Sequence, residues 1–580
     1  MTAPIAAFDL ETDPFKRYRS PCAFLAGFFD GKTHQIFKGP DCVARCWKVM
    51  RKFKGNIYAH NGGKFDFRYL LPHFVKAEAQ FFPIKGRLAR IKIPNGPTFL
   101  DSYCILPVPL KATGGKLEID YRKLEEDVRE IHMPEIVTYL KADLETLFEK
   151  VTEFIGEYGH GVTLAGRTFA QFKKHFDLDP PKTNEHHDKV FRRFYYGGRV
   201  EFFELGHVKG SFKLIDINSA YPAAMLEKHA FGLTFDLLER VPKNDERAER
   251  CFIQMTGESF GGLPWRNEEN ALSFGPRIGE FFVTGWEYVA ARKLGKLGKH
   301  EIICVHEPLE CKSFVRFVDH FYRQKSQSVK GSSEELFAKL FLNSAYGRFG
   351  LNAHNFRETK ITPYREEPDD NAQARKRIEA VVSIRHPELK GKKRIEKCAA
   401  YWRGYDERWE LANDFEDEKI SVWEKKTKLK KDSFYNVATA ASVTGCVRAF
   451  MMESLARVRR PVYCDTDAII CESAGALKMG SSIGEWKLEC ESERDGVYIG
   501  GKKLYALKIK NGKKPWKLSS KGVRLSAEEI ISVCKGNAVE STQDAPTFSL
   551  FTTKSIKGNE RDFVRRTTRR DDLRKRKGTK

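Results

Sequence analysis

Asp9 and Glu11 stand one residue apart in Ile5-Ala6-Ala7-Phe8-Asp9-Leu10-Glu11-Thr12, a run whose apolar content suits a strand. A strand's period of two puts both acids on one face, where they repel unless a cation joins them. Hard oxygen donors of this kind suit Mg2+ or Mn2+. Alone, Asp-x-Glu is equally the mark of an exposed strand. More acids follow in settings that also suit metal chemistry. Asp66 closes Tyr58-Ala59-His60-Asn61-Gly62-Gly63-Lys64-Phe65-Asp66, which reads as a short strand, a glycine-rich turn and the start of a helix. Asp143 sits four residues after Tyr139 in a segment whose Ile136, Leu140, Leu144, Leu147 and Val151 recur at helical spacing, so Tyr139 and Asp143 share a face. Much further along, Asp216 ends the apolar run Phe212–Ile217, ahead of a turn, Asn218-Ser219-Ala220-Tyr221-Pro222, that leads into a helix with Pro in its first turn. Val462-Tyr463-Cys464-Asp465-Thr466-Asp467-Ala468-Ile469-Ile470 reads as a β-hairpin with two acids at its tip, a costly arrangement without a cation.

These acids need a scaffold of several elements. Residues 1 to about 160 alternate β-rich runs with one strong helix, the pattern of a compact α/β domain. The stretch DLDPPKTNEHHDK at 177–189 reads as a loop and linker. Ser332-x-x-Glu335 is a capping box opening a helix on which Lys339, Asn343 and Tyr346 form one stripe, opposite an apolar face of Leu336, Leu340 and Phe341. A charge, an amide and a ring in line suit one extended ligand. Lys330 and Lys325 just upstream are further phosphate contacts or a solvated basic loop. Residues 352–432 are polar and charge-dense, as an insertion on an existing domain would be.

At 580 residues the chain exceeds the roughly 250–300 that one core supports, so at least two domains are expected. Lys and Arg outnumber Asp and Glu by 101 to 78, and the resulting +23 favours a polyanionic partner, nucleic acid above all. A basic protein without nucleic acid is the alternative. No apolar run is long enough for a bilayer, so no membrane partner is expected. Thirteen cysteines without a Cys-x-x-Cys pair point to reduced thiols in a cytoplasm. The last twenty residues, 561–580, carry ten basic and three acidic side chains and read as a flexible phosphate-binding arm or a solvated tail.

Asp9, Glu11, Asp66 and Asp143 with Tyr139 resemble the set of the DEDD-type 3′–5′ exonucleases that use a tyrosine, which implies an RNase H-like domain. Two metal ions per site would then ripen a water and stabilise the leaving 3′ oxygen. The resemblance implies that Tyr139 orients the water and that Thr12, Asn61 and Phe65 hold a single-stranded 3′ end. Lys116 and Tyr121 in KLEIDY match a further exonuclease motif in which the lysine assists catalysis.

The downstream motifs resemble family B DNA polymerases: motif A at Asp216 and Tyr221, motif B at Lys339–Gly347, motif C at Asp465-Thr466-Asp467. That family implies a right-hand palm, fingers and thumb, with Asp216 and Asp467 as two-metal ligands and Asp465 as a supporting acid. It also implies that Tyr221 excludes a 2′-hydroxyl, so deoxynucleoside triphosphates are the expected substrate. Lys503-Leu504-Tyr505 resembles the Lys-x-Tyr motif that stabilises the primer end, and Lys521-Gly522 adds a backbone contact. Tyr195-Tyr196-Gly197-Gly198 resembles the Tyr-x-Gly-Gly motif that holds template between the two domains. AAFDLETDPFK, YAHNGGKFDF, DSYCILPVPL, VATAASVTG and GKKLYALK narrow the resemblance to the protein-primed polymerases, tectiviral ones above all. The implied layout is an exonuclease domain at 1–165, a linker at 166–200, a polymerase domain at 201–560 and the tail. Within the polymerase domain it has palm at about 201–260 and 433–510, insertions at about 225–312 and 352–432, fingers at about 313–351 and thumb at about 511–560. The implied partners of this α/β and α+β monomer are template and primer DNA, a terminal protein as primer and a single-strand-binding protein. A family B enzyme extending ordinary primers, or none, is the alternative.

Overall fold

The computed structural model describes residues 3–14, 21–113, 117–176, 183–352, 357–363, 372–402, 409–415, 419–426, 435–512, 515–542, 549–551 and 564–567. Ile5–Thr12 is a strand, paired antiparallel with Ala23–Phe29 and parallel with Asn56–Ala59. Its alternation sorts the side chains as expected. Ala6, Phe8 and Leu10 enter one core, while Ala7 enters another with Ile136, Leu140 and Leu144 of the helix Arg129–Tyr158. The five apolar residues read at helical spacing in that segment are all buried.

The sheet built on this strand grows to ten strands, because the segment after residue 352 joins it. Arg357–Pro363 pairs with Gln80–Ile84, followed outward by Ile420–Lys426 and Glu410–Phe415. Ile361, Phe415, Ile420 and Val422 share a core with Phe8, Leu70 and Phe74. The stretch read as an insertion of the polymerase domain is therefore built onto the N-terminal sheet. Its charge density hid a few apolar strand positions that suffice for a core face. Leu550 is buried in the same core, its N–H donating to Gly86 O at 3.2 Å.

A second sheet, of eight strands, has Lys213–Ile217 between Trp486–Gly501 and Ala468–Ser473, with Arg459–Asp465 and Val200–Phe202 beyond. A four-stranded sheet of Phe235–Leu238, Leu297–Pro308, Phe252–Ser259 and Arg277–Thr284 packs on helix Val437–Arg457 through helix Gly285–Lys293.

Two linker expectations are corrected. Leu164–Phe176 is a helix whose Phe169, Phe172 and Phe176 stack against Phe314, Phe317 and Phe349, so it is core. Within 177–189, Asn184 Oδ1 accepts from His187 N at 2.7 Å and caps the helix Glu185–Phe191, while 177–182 lie outside the described residues. Polar composition there masked a helix cap. Within the tail, Val564–Thr567 pairs antiparallel with Val539–Thr542, since polar side chains do not bar backbone pairing. Its other residues lie outside the described ones.

One buried ion pair ties these units together. Arg448 Nε donates to Glu287 Oε1 at 2.7 Å, both side chains being essentially inaccessible, and Arg448 Nη1 donates to the carbonyls of Tyr196 and Gly197. Arg448→Met should strand Glu287 in the interior and cost about 3–5 kcal/mol, seen as a large fall in melting temperature. Adding Glu287→Gln should recover part of it.

Candidate functional site

Asp9 and Glu11 project from their strand beneath helix Arg129–Tyr158. Gly27, directly opposite Asp9, admits this close approach: a Cβ there would lie 2.6 Å from Leu144 Cδ1. The helix thereby brings Asp143 to the pair, with Tyr139 one turn before it on the same face and close enough to act on its carboxyl. Asp66, first residue of helix Asp66–Lys76, completes the group and is 1% exposed. Burial first, then the charges of Asp66, Glu11 and Asp143, hold the Asp9 carboxyl well above its usual range. Glu11 and Asp66 are pushed up to about 8, and burial also raises Asp143.

One Asp66 carboxylate oxygen is buried with no hydrogen-bond partner, and four acids are crowded together with the charge of Arg68 offsetting only Asp66 among the described residues, so this donor set fits a hard divalent cation. Among the described residues no three acids, histidines or cysteines already close into a cage around one ion. The sign of the pH dependence follows. Carboxyls with raised folded pKa values stabilise the metal-free fold below about pH 4 and cease to as pH rises towards about 8. Melting of chelator-treated protein should therefore fall between about pH 5 and pH 8, less steeply in Asp66→Asn. Divalent cation should restore the parent most at the higher pH.

Around this group, Arg87 Nη1 donates to Asn61 Oδ1 at 2.8 Å and to Asp101 Oδ2 at 2.5 Å. Thr12 is buried and its hydroxyl donates to Asp13 O at 3.2 Å; Phe65 stands edge-on to Tyr69. Tyr121 hydrogen-bonds Tyr139, and partial burial, then Glu11, Asp143 and Asp9, raise its hydroxyl. Lys116 lies outside the described residues.

In the second sheet, Asp465 pairs with Ala468 across the hairpin, leaving Thr466 at φ 61° and Asp467 as the two-residue turn. Asp216 pairs with Ala468 on the next strand, and Ile217 N donates to Asp467 O at 2.8 Å, so register brings Asp216 and Asp467 together. Burial first, then Asp216 and Asp465, push Asp467 up to about 6. Asp465 is occupied differently. Its Oδ1 accepts from Lys503 Nζ at 2.8 Å and from Thr466 Oγ1 at 3.1 Å, which suits a supporting role.

Part of the sequence, including Asp143 and Asp216, matches a known family model, "DNA polymerase type B, organellar and viral", over residues 116–258 and 302–395. Over 596 aligned positions the chain is 33% identical to the DNA-directed DNA polymerase of Enterobacteria phage PRD1, covering 96% of this chain and 98% of that one. The chain belongs to the family B DNA polymerases. It is also 25% identical to the DNA polymerase of Streptococcus phage Cp-1, over 51% of this chain and 58% of that one. In fold, this DNA-directed DNA polymerase resembles phi29 DNA polymerase complexed with primer-template DNA and incoming nucleotide substrates. The TM-score is 0.69 at 17% identity, covering 98% of this chain and 100% of that one.

The polymerase presents its motif B helix, Ser333–Phe349, with Lys339 and Asn343 exposed and Tyr346 half-buried on one stripe. The buried face is Phe337, Ala338, Phe341, Ala345 and Phe349; Leu336 and Leu340, expected there, lie only half-buried at its margin, since the aromatic side chains win the packing. Ser332 caps the helix, but Glu335 reaches Gly331 N rather than Ser332 N. Tyr346 stacks on Tyr221 with centroids 3.8 Å apart and planes 7° apart. Of the two lysines read upstream, Lys330 is exposed in the interhelical loop. Burial first, then the ammoniums of Lys339 and Lys487, hold Lys325 below its usual range.

The polymerase's Tyr-x-Gly-Gly loop lies against motif C. Thr466 N donates to Arg199 O at 2.7 Å, and a Cβ on Gly198 would lie 2.6 Å from Thr466 Oγ1. Gly197 faces open space, and Tyr195 is half-buried. Lys503 N donates to Tyr463 Oη at 2.9 Å, Tyr505 packs on Tyr463, and exposed Lys521 donates through N to Lys503 O at 3.0 Å.

Sequence reasoning missed Arg87, Asp101, Lys487, Glu287 and Arg448. Asp101 stood in DSYCILPVPL and Arg448 followed VATAASVTG, stretches read for resemblance without a role for these residues. Lys487 had no local signal, because its neighbour Asp216 lies far away in sequence.

Proposed function

We propose that this polymerase copies DNA at the acids of its eight-stranded sheet, proofreads 3′ ends at those of its ten-stranded sheet, and starts replication on a terminal protein's hydroxyl. The observation that supports two activities is the pair of acid groups, one around strand Ile5–Thr12 and one at the Asp465–Asp467 turn beside Asp216, in each of which burial first and neighbouring carboxylates second raise carboxyl pKa values. Priming by protein is supported by the stretches shared with the protein-primed group, and a likeness of fold to phi29 DNA polymerase accords with it.

At the first site Asp216 and Asp467 would hold a pair of Mg2+ or Mn2+ ions, which when bound acidify the primer hydroxyl and neutralise the triphosphate. Lys339 and Lys325 draw in the triphosphate, and Asn343 offers an amide beside it. The Tyr221–Tyr346 stack forms the floor under the nucleotide sugar, leaving no room for a 2′-hydroxyl. Lys503, held by Asp465, steadies the primer end. At the second site Asp9, Glu11, Asp66 and Asp143 would hold the ions that polarise the scissile phosphate. Tyr139 orients water from its place on Asp143, and Asn61, fixed by Arg87, receives the frayed strand. By the same resemblance Tyr121 contacts that strand and Lys116 assists catalysis.

Incubating the polymerase with its terminal protein, labelled deoxynucleotide and Mg2+ tests the priming step. A labelled protein–nucleotide adduct is expected. Its absence alongside efficient extension of oligonucleotide primers would favour ordinary priming.

A further inference from the structure

Asp216 is in an ion pair: Lys487 Nζ lies 3.1 Å from its Oδ2. Register dictates this contact. Asp216 and Lys487 are direct partners on antiparallel strands, so their side chains leave the same face about 5 Å apart. Trp486, next to Lys487, is 1% exposed and anchors the strand, whereas the Lys487 side chain is 44% exposed against 20% for Asp216. The acid is fixed and the ammonium end is free to leave.

Lys487 also has cationic company. The ammoniums of Lys487 and of Lys339 on helix Ser333–Phe349 both act on Lys325 of helix Val315–Gln327, offset there by Glu335, while Glu489 and Lys517 also act on Asp216. Three ammoniums this near one another, one of them on Asp216, suit a ligand with several negative charges. An ammonium on Asp216 also occupies the charge position that a divalent cation there would take. Two cations cannot share that carboxylate cheaply, so arrival of one obliges Lys487 to find another anion.

We propose that Lys487 is a nucleotide-binding residue that changes partners, pairing with Asp216 in the free enzyme and with the triphosphate of the incoming deoxynucleotide in the complex. Cation and nucleotide then enter together, since the triphosphate draws off the lysine that guards the acid. The inference rests on Asp216 serving the polymerase site.

The test uses the full chain on a dideoxy-terminated primer-template with Ca2+, reading equilibrium binding of the next complementary deoxynucleotide. Lys487→Met should weaken that binding about tenfold or more, with KM in primer extension rising by a similar factor and kcat falling less. Lys487→Arg should recover most of the affinity. Without nucleotide, Lys487→Met should bind Mn2+ more tightly than the parent by electron paramagnetic resonance. Nucleotide affinity within about twofold of the parent, or a fall in kcat alone, would overturn the proposal and leave Lys487 as a charge balance for Asp216. Asp216→Asn run alongside separates the two failures, since extension surviving that change would instead remove Asp216 from the site. Melting curves show whether each variant is folded.

Discussion

Asp467→Ala is expected to abolish primer extension, by roughly 10³-fold or more, while 3′-end degradation by the same preparation continues. Asp467 sits at the hairpin turn beside Asp216; among the described residues it makes no ion pair, whereas Asp465 is paired with Lys503 and Asp216 with Lys487. Burial first, then Asp216 and Asp465, push its carboxyl up to about 6. Removing it deletes one of two carboxylates able to hold ions at the reacting phosphate, and nothing within the turn replaces it. Asp465→Asn should cost less, because its loss frees Lys503 without emptying the site of acids. Extension and degradation assayed on one primer-template, with and without nucleotides, read both outcomes.

The reciprocal change, Asp9→Ala with Glu11→Ala, should stop 3′-end degradation by a comparable factor and leave extension near the parental rate. It carries a second, opposite expectation for stability. These acids are buried against one another and against Asp66 and Asp143, so charging them opposes folding when no cation is present. The double variant should therefore melt higher than the parent in chelator near pH 8, although it has lost an activity. A variant merely misfolded would lose extension too and melt lower.

The clustered acids were legible because their geometry is local. Asp9 and Glu11 follow from strand alternation, Tyr139 and Asp143 from helical spacing, and Asp465-Thr466-Asp467 from a hairpin whose flanks are apolar on both sides. Long-range pairing was not legible. Nothing near Lys487 announces Asp216, and nothing near Glu287 announces Arg448, because each pair forms only once distant strands or helices are in register. The same limit explains why residues 352–432 were read as an insertion of the polymerase domain. Their few apolar positions signify little until Ile361 and Val422 meet Phe74 on a sheet begun at residue 5. The helix Leu164–Phe176 was overlooked for another reason: its Phe169, Phe172 and Phe176 carry a clear helical spacing, but it lies beside a polar stretch that invites a domain boundary.

Helix Arg129–Tyr158 links the two acid groups. Its Tyr139 and Asp143 lie beside the acids of the first sheet, while Phe154 and Tyr158 pack on Phe337 and Phe341 of helix Ser333–Phe349, with ring centroids 5.3 Å and 4.4 Å apart for Phe154–Phe337 and Tyr158–Phe341. A continuous core of aromatic side chains thus holds one acid group at a fixed offset from the other.

Crystals of the polymerase soaked in Mn2+ with a primer-template and the next nucleotide would show by anomalous scattering where the ions lie. Two separate groups of peaks are expected, one between Asp216 and Asp467 and one among Asp9, Glu11, Asp66 and Asp143. Peaks confined to a single group, or none within coordination distance of Asp216 and Asp467, would contradict the two-site account.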